Sequence, residues 1–545
     1  MSKNKNTKEQ LDVLNCKIDK DEVIAVQAYA GGGKTYILTE LARRLQREAP
    51  TWKILYLAFN KDIVEEAKTK FPRNVTVQTT HSLANAAVGR PYFAANKVGA
   101  NVRKTTIRNA CIERVSDIGG DHNKAHPGHN WCRTNVVSWQ ISNLVWDILH
   151  KFLYSADDRI DNTHIDKYIR SAVSNIISDD LLVTLASDLW FRMQDLEDKF
   201  PMVHDGYLKL YELSKPRLDE RFQVVLLDEA QDANGATMSI MEQAQCCRIY
   251  VGDPHQQVYS WRGSINAFER IAETQTNSFR LSQSFRFSHK IAQWATAILR
   301  PWKQEEVPVR GTDKRGEVYA LHNIRAEDKP PHTYIARTNS SIFAKAVACL
   351  DKEEFGFAGK KPKQMFSDLV DVYFLWAGHL DKMKNTYYKN FQQFESLQAY
   401  AAQSEDYEVS SLCNLVNRHM HEIPNLVERI MSESVPENTA QIVLTTGHRS
   451  KGREWPYVEL SADFLEAFRD PDNKTDPGKP VKPSYHSFSK KEEANLLYVA
   501  ITRAQFSAFV PKNLLEMIKD HYRVYDEQQK DSTTSCQTGN AELPE

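Results

Sequence analysis

A lysine and a threonine side by side after three glycines, and an aspartate and a glutamate side by side after an apolar run, are the residue pairs in this chain best suited to phosphate chemistry. The first lies in EVIAVQAYAGGGKT, where a β-prone run turns through Gly31, Gly32 and Gly33 into the helix-periodic YILTELARRLQRE. Strand, glycine loop and helix in that order turn backbone N–H groups toward phosphates at a helix N-terminus. Lys34 then reaches the β and γ phosphates and the Thr35 hydroxyl is placed for Mg²⁺. Ala28 stands where the general phosphate-loop pattern has its first glycine, and Ala30 follows it in the expected ATP-binding loop. The second pair closes FQVVLLDEAQD. Asp228 would hold Mg²⁺, directly or through water, and Glu229 would orient and deprotonate the attacking water. Asn60, Lys61 and Asp62 hint at a guanine-reading run, but Ile63 occupies its fourth position, so ATP is the expected nucleotide. A chance glycine turn, or a strand ending in solvated acids, is the bland reading of either pair alone. Their placement between strand-like and helix-like runs favours the phosphate reading.

Such groups work only where a fold gathers them. The unbroken apolar run before Asp228 suits a buried parallel strand, whose C-terminal end is where α/β folds place ligands. The next run, CRIYVGDPHQQVY, reads as another strand, so a multi-stranded parallel sheet is expected. Lys34 and Asp228 lie too far apart in sequence for a simple nucleotide fold, which implies an insertion between them. The chain has 545 residues, 41% apolar and 26% charged, an ordinary globular composition sufficient for three or four units of about 100 to 200 residues. No stretch reaches about 18 uninterrupted apolar residues, and the opening MSKNKNTKEQ lacks the apolar core of a secretory signal, so no membrane partner is expected. The eight cysteines (Cys16, Cys111, Cys132, Cys246, Cys247, Cys349, Cys413 and Cys536) are scattered without CxxC pairs, which fits a reducing compartment. A net charge of −1 does not exclude nucleic acid, because a strand binder needs only a local basic and aromatic channel.

The insertion, DEAQD and the following VGDPHQQVYSWRG together resemble the superfamily-one DNA helicases of the UvrD, Rep and PcrA type. Within that group the likeness is strongest to the helicase part of the F-box DNA helicases, through LYLAFNK, HSLA, VGDPHQQVYSWRG and LSQSFRF. It runs from about Gln10 to Gln505 with the motifs in family order. The resemblance implies an α/β fold of two RecA-like P-loop motor lobes with parallel sheets, each carrying a mainly helical insertion. It implies that Gln10 reads adenine, that Gln256 senses the γ-phosphate and relays its state, and that Glu454 lies near the ribose. Arg286 and Arg503 would reach the γ-phosphate from the second lobe. An arginine supplied at the transition state of phosphoryl transfer is worth roughly 10³ to 10⁵ in rate. With the arginines on one lobe and Lys34 on the other, hydrolysis requires closure.

For the DNA track the resemblance implies contacts from Phe59, Asn60 and Lys61, from Thr79 and His81, from Tyr259, Trp261 and Arg262, and, on the second lobe, from Arg337, Thr338, Asn339 and His448. Single-strand tracking combines basic groups with aromatic faces that stack bases. Tyr259 and Trp261, taken alone, could equally be core aromatics, and Lys451 and Gly452 complete the last motif either as contacts or as structure.

The implied activity is an ATP-dependent single-stranded DNA translocase and helicase, 3′ to 5′, with ATP and Mg²⁺. It would serve DNA repair or recombination control, with single strands and junctions as substrates and recombinase filaments as targets by analogy. The alternative is a nucleotide-gated single-strand clamp, or a protein-displacing translocase without strong unwinding. The expected division places the first lobe at 1–90 and 215–278 with a helical insertion at 91–214. The second lobe is expected at 279–342 and 437–522 with an insertion at 343–436, and 523–545 as a disordered tail. The second insertion is shorter than its UvrD counterpart, which favours a walking motor over a strong unwinder. Only nine residues precede Gln10, so no ubiquitin-ligase adaptor is expected. The expected location is intracellular, in the nucleus if the source is eukaryotic and otherwise the cytoplasm. His122, His126, His129 and Cys132 could form a zinc site, but their spacing fits no metal motif and a solvated loop is the expectation.

Overall fold

The structure is a computed structural model that describes residues 6–58, 60–99, 102–118, 135–165, 176–259, 263–325, 328–359, 361–389, 391–403, 407–468 and 489–532. The first sheet is built from β1 (Val23–Ala28), β2 (Ile54–Ala58), β3 (Val75–Thr79), β4 (Val224–Leu227), β5 (Cys247–Gly252) and β6 (Asn277–Leu281). They run in the order β3-β2-β4-β5-β1-β6, and every pairing is parallel. Side chains alternate across a strand, so β1 sends Val23 and Ala25 into one core and Ile24 and Val26 into the other. On the Ile24 face lies the helix Lys34–Glu48, through Ile37, Leu38 and Leu41. On the other face lies the first insertion, whose Ile141, Leu144, Leu149, Leu185 and Leu189 share one core with the sheet.

A parallel sheet brings the C-terminal ends of all its strands to one edge. The loops after β1, β2, β4 and β5 carry the phosphate-loop glycines, Asn60, Asp228 and Gln256, and β3 ends on Thr79. Residues far apart in sequence thus become neighbours at that edge.

A parallel pair of β7 (Gln283–Ser288) and β8 (Arg310–Thr312) leads into the second sheet. This consists of β9 (Val318–Ala320), β10 (His332–Ala336), β11 (Phe355–Phe357), β12 (Ile442–Thr446), β13 (Trp455–Leu460) and β14 (Ala504–Val510), ordered β11-β12-β10-β13-β14-β9 and again parallel throughout. Ala336 of β10 is level with Thr446 of β12, and Ile335 with Leu460 of β13. The connection Gly447–Glu454 must therefore travel from the carboxyl edge of this sheet to its amino edge.

Three expected boundaries differ from the observed elements. The division after residue 278 cuts through β6, which pairs with β1 from Ile24↔Asn277 to Ala28↔Leu281 and so belongs to the first sheet. The helix Asn339–Cys349 crosses the division at 343, and β11 pairs with β12, so this part of the expected insertion forms the edge of the second sheet. The helix Lys512–Ser532 extends beyond residue 522 into the expected tail, anchored by buried Leu514, Ile518 and Tyr522. Residues 533–545 lie outside the described residues.

The first insertion contains the helices Lys104–Ile118, Asn135–Tyr154 and Asp179–Gln194, and the second Lys363–Trp376, Phe394–Gln403, Tyr407–His419 and Ile423–Glu433. They meet where Trp139 of the first is buried in the apolar cluster of the second, its ring 5.6 Å from that of Tyr387. No described helix is long and apolar enough to cross a membrane.

Candidate nucleotide site and strand-facing edge

The phosphate loop follows β1, and Gly33, at φ +84°, caps the helix that starts at Lys34. Gly31, at φ +74°, has a second reason to be glycine. A Cβ there would lie 2.6 Å from Arg286 Cβ and from Ser284 Oγ, because β7 packs directly on the loop. The Phe285 N–H donates to Gly31 O at 2.9 Å, so the element bearing Arg286 is keyed to the phosphate loop. Ala28 ends β1 with its methyl fully buried. Gln10 lies in a capping box with Thr7 at the start of the helix Lys8–Asn15, and its Nε2 stands 3.3 Å from where a Gly33 Cβ would be. Thr35 is in the first turn after the loop.

At the end of β4, Asp228 and Glu229 are held by different partners. The Tyr56 hydroxyl, from fully buried β2, donates to Asp228 Oδ2 at 2.6 Å, and the Glu229 N–H donates to Oδ1 at 2.9 Å. Glu229 has φ +52°, a left-handed backbone on a non-glycine residue, which costs about 1–2 kcal/mol and persists only where surroundings enforce it. Here Lys34 Nζ at 2.7 Å and Gln231 Nε2 at 2.6 Å both donate to Glu229 Oε2. Burial raises the Asp228 carboxyl, and the charge of Glu229 pushes the same way against Lys34 and Tyr56. Burial also works against ionised Glu229, but Lys34 and Lys451 outweigh it and bring the group down to about 2. Lys34 is opposed by burial too, yet Glu229 and Asp228 raise it above the ordinary lysine value. The pocket thus holds an ionised base beside an aspartate whose buried charge a divalent cation would relieve. That donor chemistry fits Mg²⁺, which Asp228 and Thr35 would hold. Among the described residues no group of three or more His, Cys, Asp or Glu is placed to hold a metal.

The second half of the site comes from across the chain. Arg503 is 1% exposed and donates to Val499 O at 2.9 Å, Arg453 O at 3.1 Å and Gln256 Oε1 at 3.2 Å. Burial and the charge of Arg286 lower it to about 9. Gln256 also donates to Asp253 Oδ2 at 2.8 Å. Arg286 Nε donates to Glu454 Oε2 at 2.6 Å, and Gln505 donates to the other Glu454 oxygen.

Sequence reasoning missed Tyr56, Tyr498 and Phe285 at this centre, and named Lys451 without its partners. Tyr498, on the same helix as Val499, accepts from the Ala30 N–H at 3.0 Å and donates to Asp253 Oδ2 at 3.0 Å, tying the second lobe to the phosphate loop. Lys451 forms an ion pair with buried Asp232 and donates to Gln256 O at 2.6 Å; burial raises Asp232 to about 6 against the pull of Lys451. Phe285 presents a 36% exposed ring 3.9 Å from where a Gly33 Cβ would be. Lone tyrosines inside apolar runs, in LYLA and NLLYVA, were the available signal for Tyr56 and Tyr498.

The expected strand contacts occupy the helix starts that follow the strands. Asn60 caps the helix Lys61–Lys70, accepting from Ile63 N, and Thr79 caps Thr80–Ala84, accepting from Ser82 N. Thr338 caps Asn339–Cys349, and Thr446, unforeseen, caps Gly447–Ser450. Each sheet therefore has two neighbouring strands, β2 and β3 or β12 and β10, that end in polar caps at the carboxyl edge. Helix starts expose backbone N–H groups suited to phosphates. His81 Nε2 lies 3.0 Å from Asp205 Oδ1, with the His204 and Tyr207 rings edge-on to it. Arg337 is paired with Glu493 at 2.8 Å. Tyr259 donates to His448 O at 3.1 Å, and burial lowers the His448 imidazole. Phe59, Trp261, Arg262 and the His122–Cys132 cluster lie outside the described residues.

Residues 6–276 match the UvrD/REP helicase N-terminal domain, and residues 220–513 the UvrD-like helicase C-terminal domain. The chain is 29% identical over 546 residues to F-box DNA helicase 1 of Gallus gallus, covering 95% of this chain and 50% of that relative. It is 29% identical over 522 residues to F-box DNA helicase protein 1 of Schizosaccharomyces pombe, covering 92% and 56%. To the ATP-dependent DNA helicase PcrA of Leuconostoc citreum it is 24% identical over 329 residues, covering 56% and 40%. The chain thus spans about half the length of the first two relatives.

Proposed function

The chain belongs to the UvrD-like DNA helicases, and from that premise we propose that it is an ATP-driven motor that translocates 3′ to 5′ along single-stranded DNA and displaces the complementary strand. One observation carries the reading: Arg503 and Gln256, which would act on the γ-phosphate, meet across the two lobes, and Lys451 joins the same contact through Asp232 and Gln256 O. The nucleotide state therefore bears on how the lobes meet. Each lobe carries its own pair of capped helix starts for the DNA backbone, so a change in lobe spacing changes the spacing of the two grips.

In this reading Lys34 leaves Glu229 for the phosphates when ATP arrives. Glu229, ionised and held by Gln231, then takes the proton of the attacking water. Arg286 and Arg503 meet the charge that develops on the γ-phosphoryl group. Thr35 and Asp228 would hold Mg²⁺, which would supply charge neutralisation at the phosphates. Phe285 and Gln10 flank the loop where the adenine would lie. The direction of travel rests on the family resemblance. Work in repair or recombination, with recombinase filaments as an obstacle to clear, is proposed by analogy with the family, and a nuclear location from the eukaryotic source of the relatives.

Partial duplexes with a 3′ or a 5′ single-stranded overhang test this directly. Strand release with ATP from the 3′-tailed substrate, and little from the 5′-tailed one, is expected. Hydrolysis without release from either would favour a clamp, and release from the 5′-tailed substrate alone would reverse the polarity.

A further inference from the structure

Four consecutive residues after the helix Gly447–Ser450 each reach a different part of the molecule or allow the turn between them. Lys451 contacts Asp232 and Gln256 O of the first lobe. Gly452 turns the chain at φ +80°. Arg453 O accepts from Arg503 Nη1 at 3.1 Å, and Glu454 accepts from Arg286. The Arg453 guanidinium points elsewhere: its Nη1 lies 3.0 Å from both carboxylate oxygens of Glu437.

Glu437 stands where the chain returns from the second insertion, just after Val435, whose N–H donates to Phe355 O of β11 at 2.9 Å. The outgoing crossing is fastened at the same point. The Gly359 N–H, just after β11, donates to Glu437 at 2.7 Å, and a Cβ on Gly359 would lie 2.8 Å from Arg453 Nη2. Arg449 Nη2 donates to Ala358 O at 3.4 Å. Trp455 Nε1 approaches the same Glu437 carboxylate at 3.4 Å. Both strands of the insertion's neck are therefore gripped by the connection Gly447–Glu454, whose backbone at Arg453 also receives Arg503.

We propose that Arg453 is a positioning residue through which the neck of the second insertion sets the placement of Arg503. The Arg453 Nη1, shared between both Glu437 oxygens, is a charge-assisted contact that ties this side chain to the same carboxylate that receives the Gly359 N–H. A shift of the neck moves the Arg453 backbone and, with it, one of the acceptors that hold Arg503. Phosphoryl transfer depends on where that arginine stands, and a displacement of about 1 Å can cost about 10²-fold in rate. The inference rests on the proposed DNA-stimulated motor and gives its second insertion a role in the rate of hydrolysis.

The test compares the full-length wild type with Arg453→Met, Glu437→Ala, the double variant and Arg453→Lys, measuring ATP turnover at saturating single-stranded DNA. In each single variant kcat is expected to fall about tenfold, while KM for ATP and the DNA concentration giving half-maximal stimulation change by less than about twofold. The double variant is expected to be no slower than the slower single one, because both cut the same link. Arg453→Lys, which keeps a cation facing Glu437, recovers part of the loss. Wild-type kcat in both singles, losses that multiply in the double variant, or a loss carried by KM alone would overturn the proposal. A wild type that DNA does not stimulate would overturn the motor reading as well, whereas a stimulated wild type with unaffected variants would overturn this link only.

Discussion

Replacing Arg503 by alanine is expected to lower DNA-stimulated kcat by about 10³-fold or more, the scale of an arginine supplied at the transition state of phosphoryl transfer. KM for ATP should change far less, because the charge that this arginine meets develops only as the bond to the leaving group breaks. The side chain is fully buried and donates to two carbonyls and to Gln256. Its loss therefore also leaves acceptors unpaired, at about 1–3 kcal/mol each, and lowers the thermal midpoint. Arg503→Lys separates the two effects. It restores a cation but not the fork that reaches Val499, Arg453 and Gln256 together, so kcat should stay low even where the fold recovers. Wild-type kcat in both variants would remove Arg503 from the site.

Lys34→Ala is the second large effect. Lys34 is the cation that holds Glu229 down to about 2 against burial, and it is the group placed to follow the phosphates. Without it turnover should fall by at least about 10²-fold, the loss typical of removing one preorganised charge-stabilising donor. Burial then pushes the Glu229 carboxyl upward, so the variant's residual rate should show an acid limb at higher pH than the wild type. Single-stranded DNA should still bind, since Asn60, Thr79, Thr338 and Thr446 are helix caps made without Lys34. Loss of DNA binding together with turnover would show that the variant had unfolded or that the two sites are not separable. A Met at the same position gives a second variant of similar length for that case.

The chemistry-bearing residues were legible because phosphate binding constrains type and spacing tightly. Glycines before Lys34 and paired acids after a buried run have few other uses in combination. Their partners were less legible because a hydrogen bond across the fold leaves no local signature. Tyr56 and Tyr498 sit in apolar runs as any core aromatic might, and only the parallel order β2-β4 and the lobe contact bring their hydroxyls to Asp228 and Ala30. Lys451 was legible as a motif residue but not as an interlobe ion pair, since Asp232 belongs to another sheet's loop.

The elements that cross the expected limits were hidden for a different reason. β6 reads NSFRL, an edge strand with one buried side, so it lacks the continuous apolar run that marked β4. β11 is only three residues long, too short for periodicity to reveal, and its place is set by pairing with β12. By contrast the apolar positions Leu514, Ile518 and Tyr522 recur every four residues, the stripe that fastens a surface helix to a core. Those three positions lie inside the expected lobe, and the polar run after Tyr522 set the expected end ten residues before the helix stops. Asn60, Thr79 and Thr338 were read as DNA ligands, and the structure adds that their side chains cap the helices that follow.

The central claim is that ATP turnover at Lys34, Glu229 and Arg503 is governed by a DNA strand lying across the two lobes. The measurement that tests it most directly is the steady-state ATPase rate of the chain with Mg²⁺, with and without single-stranded DNA. A clear rise in kcat on adding the strand is predicted, abolished in Lys34→Ala and Arg503→Ala. An ATPase rate that single-stranded DNA leaves unchanged would contradict it.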